Sequence, residues 1–482
     1  MKIARRFRYD VEVTSARLLL AGSLLGIPIR AAALPKTHRH VIPLLASNAI
    51  LTGATLGKAR TGYSGDGYAT GFKSVQDKIG FTFQDASGFY KAVIRYCSPN
   101  GPKGYDLKFN GQDTSGMFSK SSSWAQCNAG LFLVKKGVNN LSVGGGWGYY
   151  DIDRITLYPV APPKPARRPP ARLSDGHASA AARALFAKLR GLYGKKTGSG
   201  CYSTADAAYI YSQTGKYPMI MGGDLMDYSP SRIAHGANPT GTIQRLIADA
   251  RKGYILTISW HWNAPMHLIN KTYVDKTGKS IKAPWWSGFY TYATTFNLAK
   301  ALANRNSPEY KALISNIDAI AVQLEKLQRA GVPVLWRPLH EAEGGWFWWG
   351  ASGPDAFRQL WHILYHRLTV VHKLHNLIWV YTSGGDMHWY PGDKYVDIVG
   401  IDAYPKSPLD PLSSQYEQMR AEFSGRKLLA ITEFGGVPDV QLMQQYGEFW
   451  DYFVSWNGTV KSAPTGLMKT TYTSPTTECM RR

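Results

Sequence analysis

Cysteine is scarce in this sequence: four residues in 482, at positions 97, 127, 201 and 479, with no C-x-x-C pair among them. That spacing removes zinc ribbons, zinc fingers and thioredoxin-type redox motifs. No H-E-x-x-H run occurs either, which excludes the metalloprotease helix. Beyond the N-terminal segment no stretch reaches the ~18 consecutive apolar residues that a membrane span requires. Acidic residues are outnumbered, 33 against 56 Lys and Arg, for a net charge of +23. Such an excess favours anionic surfaces. Yet the cations are scattered along the chain, and no helix-turn-helix, zinc-finger or RNP pattern accompanies them. The charge therefore reads as a solvated surface with nonspecific adhesion to acidic wall polymers, with neither nucleic acid nor membrane as a partner.

Aromatic residues, in contrast, are abundant: 13% of the chain, with 15 Trp and 29 Tyr. Sugar rings present flat C–H faces that stack on aromatic planes, so this surplus suits a saccharide binder, although large barrels also carry many aromatics. The length predicts two or three domains. Lys2, Arg5, Arg6 and Arg8 precede the apolar run Leu18 to Ile29 and then Ala31-Ala32-Ala33. That order predicts a secretory signal over residues 1–33 and a secreted, extracellular protein, with an Arg-rich organelle presequence as the alternative. In an oxidising compartment Cys97 and Cys127, both in one segment, are a candidate bridge, and Cys201 and Cys479 either pair or stay free.

Residues 160–172 read VAPPKPARRPPAR. Five prolines favour extended polyproline II and four cations discourage collapse, which predicts a linker. Upstream, over 44–159, short segments such as Lys78–Phe83, Gly88–Tyr96, Asn140–Val143 and Ile152–Tyr158 read as strands between polar turns, predicting a β-sandwich or jelly roll. Downstream, over 173–482, apolar strands are expected at Tyr217–Met221, Tyr254–Ser259, Val332–Pro338, Leu377–Thr382, Val396–Ile401, Leu428–Thr432 and Tyr452–Ser455. Helical stretches such as Pro308–Ala330 and Asp355–Leu374 intervene. Continuous apolar strands alternating with amphipathic helices predict a (β/α)8 TIM barrel, whose active site lies at the carboxyl ends of its strands.

Four such ends are rich in polar groups: Trp260-His261-Trp262-Asn263, the run from Arg337 through His340 and Glu341 to Trp349, Asp402-Ala403-Tyr404, and Glu433. Glu341 and Glu433 end different strands, and glycoside hydrolysis needs two carboxyl groups that meet across the scissile bond. Period two puts Arg337, Leu339 and Glu341 on one face, and likewise Leu429, Ile431 and Glu433; Asp402 and Tyr404 share a face by the same rule. The bland reading of a lone strand-end Glu is a surface salt bridge. A metal site on His261, His340 and Glu341 lacks supporting spacing, so neither metal nor cofactor is expected.

The segment Trp336 to Gly350 (WRPLHEAEGGWFWWG) resembles the acid/base segment of glycoside hydrolase family 26, particularly its fungal β-mannanases, and Ile431-Thr432-Glu433-Phe434-Gly435 is similar to that family's nucleophile strand. The similarity runs from about Ala182 to Ser474. It implies a retaining endo-β-1,4-mannanase acting on β-mannan or galactomannan, with Glu341 as acid/base and Glu433 as nucleophile. By the same resemblance His340 helps form the reactive subsite, and Tyr404 hydrogen-bonds the nucleophile with Asp402 beside it. Trp346 and Trp456 floor sugar subsites and His261 matches an active-site histidine; Arg337, placed on the Glu341 face by alternation alone, is a further substrate-binding candidate. β-1,3-Xylanases and mixed-linkage β-glucanases of the same family, and a non-catalytic wall-binding protein, remain as alternatives. A monomer is expected.

Residues Asn48 to Gly57, Gly62 to Phe72 and Gly146 to Ile155 look like carbohydrate-binding module family 35. Trp147 and Tyr149 are the loop aromatics this resemblance offers for sugar contact. The module normally opens with an acidic segment that helps bind a structural calcium ion. Here the equivalent positions read Leu45-Ala46-Ser47, leaving Asp151 and Asp153, and calcium takes six to eight oxygens.

Overall fold

The computed structural model describes residues 40–480 apart from residues 86 and 163. The expected secretory signal lies outside the described residues. Among those described, no helix is long and apolar enough to cross a membrane.

Eight parallel strands close into a barrel: β1 (Gly200–Cys201), β2 (Ile220–Asp224), β3 (Ile255–Trp260), β4 (Val334–Pro338), β5 (Leu377–Thr382), β6 (Ile398–Ala403), β7 (Leu428–Phe434) and β8 (Phe453–Ser455). Every residue of β3, β5 and β7 is buried, as a sheet covered by helices on its outer face demands. The long outer helix Pro308–Arg329 follows its expected span, with Ser307 capping its first turn and Leu313, Ile317, Ile320, Leu324 and Leu327 buried. The helix expected over 355–374 stops at Tyr365 and widens into a π-helical stretch, His366–Val371.

Strand β1 was not anticipated, because two residues in a glycine-rich stretch leave no apolar run. Gly200 is required there: a Cβ would lie 2.8 Å from the Phe453 carbonyl and 3.1 Å from Ile220 Cβ, where β8 and β2 flank the strand. The C-terminal tail adds Thr477–Glu478 parallel to Thr197–Gly198, and Lys196 pairs with Glu478 at 2.8 Å.

Upstream of the barrel, two antiparallel sheets enclose a second core. One orders Thr55–Gly57, Tyr68–Thr70, Asp151–Val160, Gly88–Ser98 and Ser121–Val134, with Ile42–Leu45 also paired to Asp151–Val160. The other orders Ile50–Thr52, Lys78–Asp85, Gly137–Gly144, Lys103–Phe109 and Gln112–Phe118. The early part of Gly88–Ser98 alternates, burying Tyr90, Ala92 and Ile94 in the core between the sheets, the pattern of a β-sandwich.

One expectation needs correction and another gains detail. The cysteine bridge is not formed, and all four cysteines are free. Cys127 sits opposite Ile94, three positions from Cys97, which is about 10 Å along a strand, beyond the ~7 Å Cα reach of a disulfide. The proline-rich segment is extended but does not hang free. Gly425 donates to the Arg167 carbonyl at 2.9 Å, Arg190 Nε to the Pro169 carbonyl at 2.7 Å, and Ala166 is buried. It is a strap along the barrel.

Candidate active site

Glu341 and Glu433 meet at the carboxyl ends of β4 and β7. One carboxylate oxygen from each of Glu341, Asp402 and Glu433 lies within 4.8 Å of the others. Simple alternation does not bring them there, which corrects the period-two expectation. Strand β4 ends at Pro338, and Leu339 and Glu341 both adopt left-handed backbone, φ 52° each, so a turn delivers Glu341. On β7 the register slips: Ile431 pairs with Ile401, but Glu433 pairs with Asp402. The extra residue, Thr432, bonds Asp402 Oδ1 at 2.7 Å while Glu433 reaches Arg337 and Tyr404. A bulge thus lets two consecutive side chains serve the same cluster.

Arg337, wholly buried, is the countercharge. Its Nη1 donates to Asp402 Oδ2 at 2.8 Å; its Nη2 donates to Glu433 Oε1 and, at 2.8 Å, to the Tyr202 hydroxyl. Burial works against its charge, but Asp402, Tyr202 and Glu433 outweigh it and hold its pKa well above the ordinary value. Arg337 and Asp402 lie beneath the nucleophile, with side chains 0% and 2% exposed, so they position Glu433 instead of contacting sugar as the sequence reading had them do.

Both glutamates are raised above the ordinary carboxylate range. For Glu433 the first cause is burial, with Asp402 and Glu341 adding to it and Arg337 and Tyr404 opposing. For Glu341 burial again leads, followed by Asp402. Burial alone would make Glu433 the harder to ionise. The donors decide otherwise: Glu433 accepts from a guanidinium and from the Tyr404 hydroxyl at 2.7 Å, whereas Glu341, half-buried at the mouth, accepts among the described residues from the neutral Trp346 indole N–H at 3.0 Å. Charge-assisted bonds are roughly twice as strong as neutral ones. The proton shared by the pair therefore belongs on Glu341, leaving Glu433 ionised.

Beside the carboxylates runs a chain from Asp224 through His261 to His340. His261 Nδ1 donates to Asp224 Oδ2, and its Nε2 is hydrogen-bonded to His340 Nε2 at 3.1 Å. Burial, then Arg337 and His261, hold the His340 pKa well below the ordinary value, so it stays neutral. Trp456, half-buried, packs 4.6 Å from Tyr202 and 5.9 Å from His261, and Trp346 is 46% exposed above Glu341. Asp224, Tyr202 and Tyr290 were missed by sequence reasoning. Asp224 ends an apolar strand and the strand-end rule would have found it; Tyr202 follows the unreadable β1. Tyr290 stands in the mouth, its pKa raised by burial and then by Tyr292, Glu341 and Glu433.

On the sandwich, Trp147 and Tyr149 are 61% and 56% exposed. Tyr149, but not Trp147, lines a hollow of about 490 Å³ with Arg60 and Lys73. The residues present do not fit a calcium ion. Asp151 is engaged by Arg60 at 2.5 Å and by Thr70, and Asp153 by Arg95 at 2.5 Å, Arg154 at 3.1 Å and Ser64. Leu45, Ala46 and Ser47 add no carboxylate.

A closed barrel whose paired carboxyls stand one sugar bond apart under an aromatic mouth defines a glycoside hydrolase. Residues 174–475 match the model of glycosyl hydrolase family 26, and residues 44–160 that of carbohydrate binding module family 35. The chain belongs to glycosyl hydrolase family 26. It is 40% identical to a mannan endo-1,4-beta-mannosidase of Thermothelomyces thermophilus, over 98% of this chain and 97% of that one. It is 31% identical to mannan endo-1,4-beta-mannosidase B of a Piromyces species, over 86% and 71%. The crystal structure of a Podospora anserina GH26-CBM35 β-(1,4)-mannanase superposes with a TM-score of 0.65 at 41% identity, covering 91% of this chain and 97% of that one.

Proposed function

We propose that the chain is a retaining endo-β-1,4-mannanase in which Glu433 attacks the anomeric carbon while Glu341 protonates the departing glycosidic oxygen. Water, deprotonated by Glu341, then releases the sugar from Glu433. The observation that carries this reading is the carboxylate separation. With one oxygen from each within 4.8 Å, the two carboxyls sit nearer the ~5–5.5 Å spacing of retaining enzymes than the ~6.5–9.5 Å of inverting ones. Arg337 and Tyr404 keep Glu433 ionised and aimed. Trp346 and Trp456 offer indole faces for flanking sugars, with His340 and His261 beside them, and Tyr149 and Trp147 do the same on the sandwich. The mannan preference is supported by the activity that the names of the relatives above carry. Galactomannan as substrate, a monomeric state and secretion through residues 1–33 are part of the same proposal.

The test is to incubate the purified chain with galactomannan, xylan and mixed-linkage glucan and follow the first products by NMR. The expected result is mannan-derived oligosaccharides of mixed length released first as β-anomers. Initial α-anomers would overturn the double displacement, and cleavage of xylan or glucan alone would overturn the mannan assignment.

A further inference from the structure

A hollow of about 380 Å³ opens beside Tyr404, between the Ser383–Gly385 loop after β5 and the segment that leads to Met419, with Ser115 of the sandwich on its wall. A second, of about 680 Å³, adjoins it, walled by Met117 and Asn128 of the sandwich and by Gln418 of the barrel. Ser115, Gly384, Gln415 and Gln418 line both. Together they form one groove from the nucleophile's tyrosine to the seam between sandwich and barrel.

The seam is fixed. Lys406 Nζ pairs with Asp106 at 2.6 Å, Ser414 Oγ donates to the Asn128 carbonyl at 3.2 Å, and Tyr446 bonds Gln112. Gly130, at φ 104°, brings its backbone so close that a Cβ would sit 3.1 Å from Ser413. The loop wall is equally set: Glu343 accepts from the Gly384 and Asp386 amides, and Gln418 Nε2 donates to the Gly385 carbonyl at 2.9 Å.

Within this groove Gln415 Oε1 is buried without a hydrogen-bond partner among the described residues. Buried acceptors are normally satisfied, and one left unpartnered on a residue of the groove wall points to a donor that arrives with a ligand. The lysine of the first hollow is already neutralised by Asp106, so an anion gains little there. A hydroxyl-rich chain gains more: its O–H groups donate to Gln415, and Met117, 50% exposed, offers an apolar face to C–H groups. We propose that this groove is an accessory subsite, built jointly by sandwich and barrel, that holds distal sugars of the β-linked chain being cleaved at Glu433. It rests on the reading of the chain as a β-glycan endo-hydrolase, and makes the sandwich a wall of the catalytic cleft as well as a binding module.

The test compares full-length Gln415→Ala and Ser115→Trp, which deplete or fill the groove from opposite walls, on β-1,4-mannotetraose and on soluble glucomannan. Wild-type turnover of the tetrasaccharide tests the enzymatic reading separately; should the wild type prefer another β-glycan, the same pair of lengths is taken from that series. The expected result is that kcat/KM on the polymer, relative to the tetrasaccharide, falls roughly tenfold in both variants, the equivalent of one lost hydrogen bond. Thermal melting verifies the fold, and Gln415→Glu, which keeps the acceptor, restores the ratio. A polymer-to-tetrasaccharide ratio equal to wild type in both folded variants would overturn the proposal.

Discussion

The barrel and the sandwich each bury aspartate or glutamate against arginine, in opposite proportion. At the barrel mouth one guanidinium, Arg337, faces Asp402 and Glu433, with Glu341 within 4.8 Å. In the sandwich Asp151 has Arg60, and Asp153 has both Arg95 and Arg154. Where arginine is in short supply, burial and mutual repulsion lift the glutamates until one keeps a proton and can act as an acid. Where every carboxylate is matched, the charges only clip strands together. The same residue types make chemistry in one place and masonry in the other, and stoichiometry decides which.

Three substitutions would break this comparison at decreasing cost. Glu433→Ala removes the nucleophile and should lower mannan hydrolysis by at least about 10⁴-fold, measured as reducing-sugar release, while circular dichroism shows the fold retained. Residual turnover near wild type would move the chemistry elsewhere. Arg337→Met leaves Asp402 and Glu433 buried without their cation; breaking such a pair costs roughly 3–5 kcal/mol, readable in urea unfolding, and activity should fall with it. Arg95→Met in the sandwich leaves Asp153 with Arg154 and Ser64, so it should cost only about 1–3 kcal/mol. That loss should fall on the unfolding of the sandwich, with kcat on soluble oligosaccharides held within about twofold. A tenfold fall in kcat for Arg95→Met would erase the distinction between the two regions.

The division between the regions was visible in the sequence, and so was most of the barrel. Strands β2 to β7 are apolar runs, and Glu341 and Glu433 stand at the ends of two of them. What stayed hidden was local geometry. The two residues of β1 carry no hydrophobic pattern, so Tyr202 behind them was unseen as a partner of Arg337. The bulge at Thr432 and the left-handed Glu341 depend on pairing and turns that alternation cannot encode. The Asp151 and Asp153 clips join residues 58 to 91 positions apart through Arg60 and Arg95, a separation no local pattern reports. Composition marked the proline-rich segment as an extended linker but could not show that it is held to the barrel, because its bonds to Tyr193 and Ser424 are tertiary.

The pH profile sharpens the comparison further. Activity needs Glu433 ionised and Glu341 protonated, which gives a bell. The Tyr404 hydroxyl stabilises ionised Glu433. Tyr404→Phe should therefore raise that pKa and move the acid limb to higher pH, with activity at the optimum falling on the order of 10-fold to 100-fold as the nucleophile loses a positioning bond.

The smallest effect belongs to Trp346. Its indole N–H donates to Glu341 Oε2 at 3.0 Å and favours the ionised form, against the burial that raises the group. Trp346→Phe keeps an aromatic face but removes the donor. The protonated form of Glu341 then gains relative to the ionised one, and the alkaline limb should move upward. Trp346 is 46% exposed, so water replaces much of the lost bond and the shift should be only a few tenths of a pH unit. The sandwich supplies the contrast: Arg95→Met should leave both limbs where they are, since Arg95 faces Asp153. A downward move of the alkaline limb in Trp346→Phe would mean that the indole stabilises the protonated acid, and would overturn its role as a donor that favours ionised Glu341.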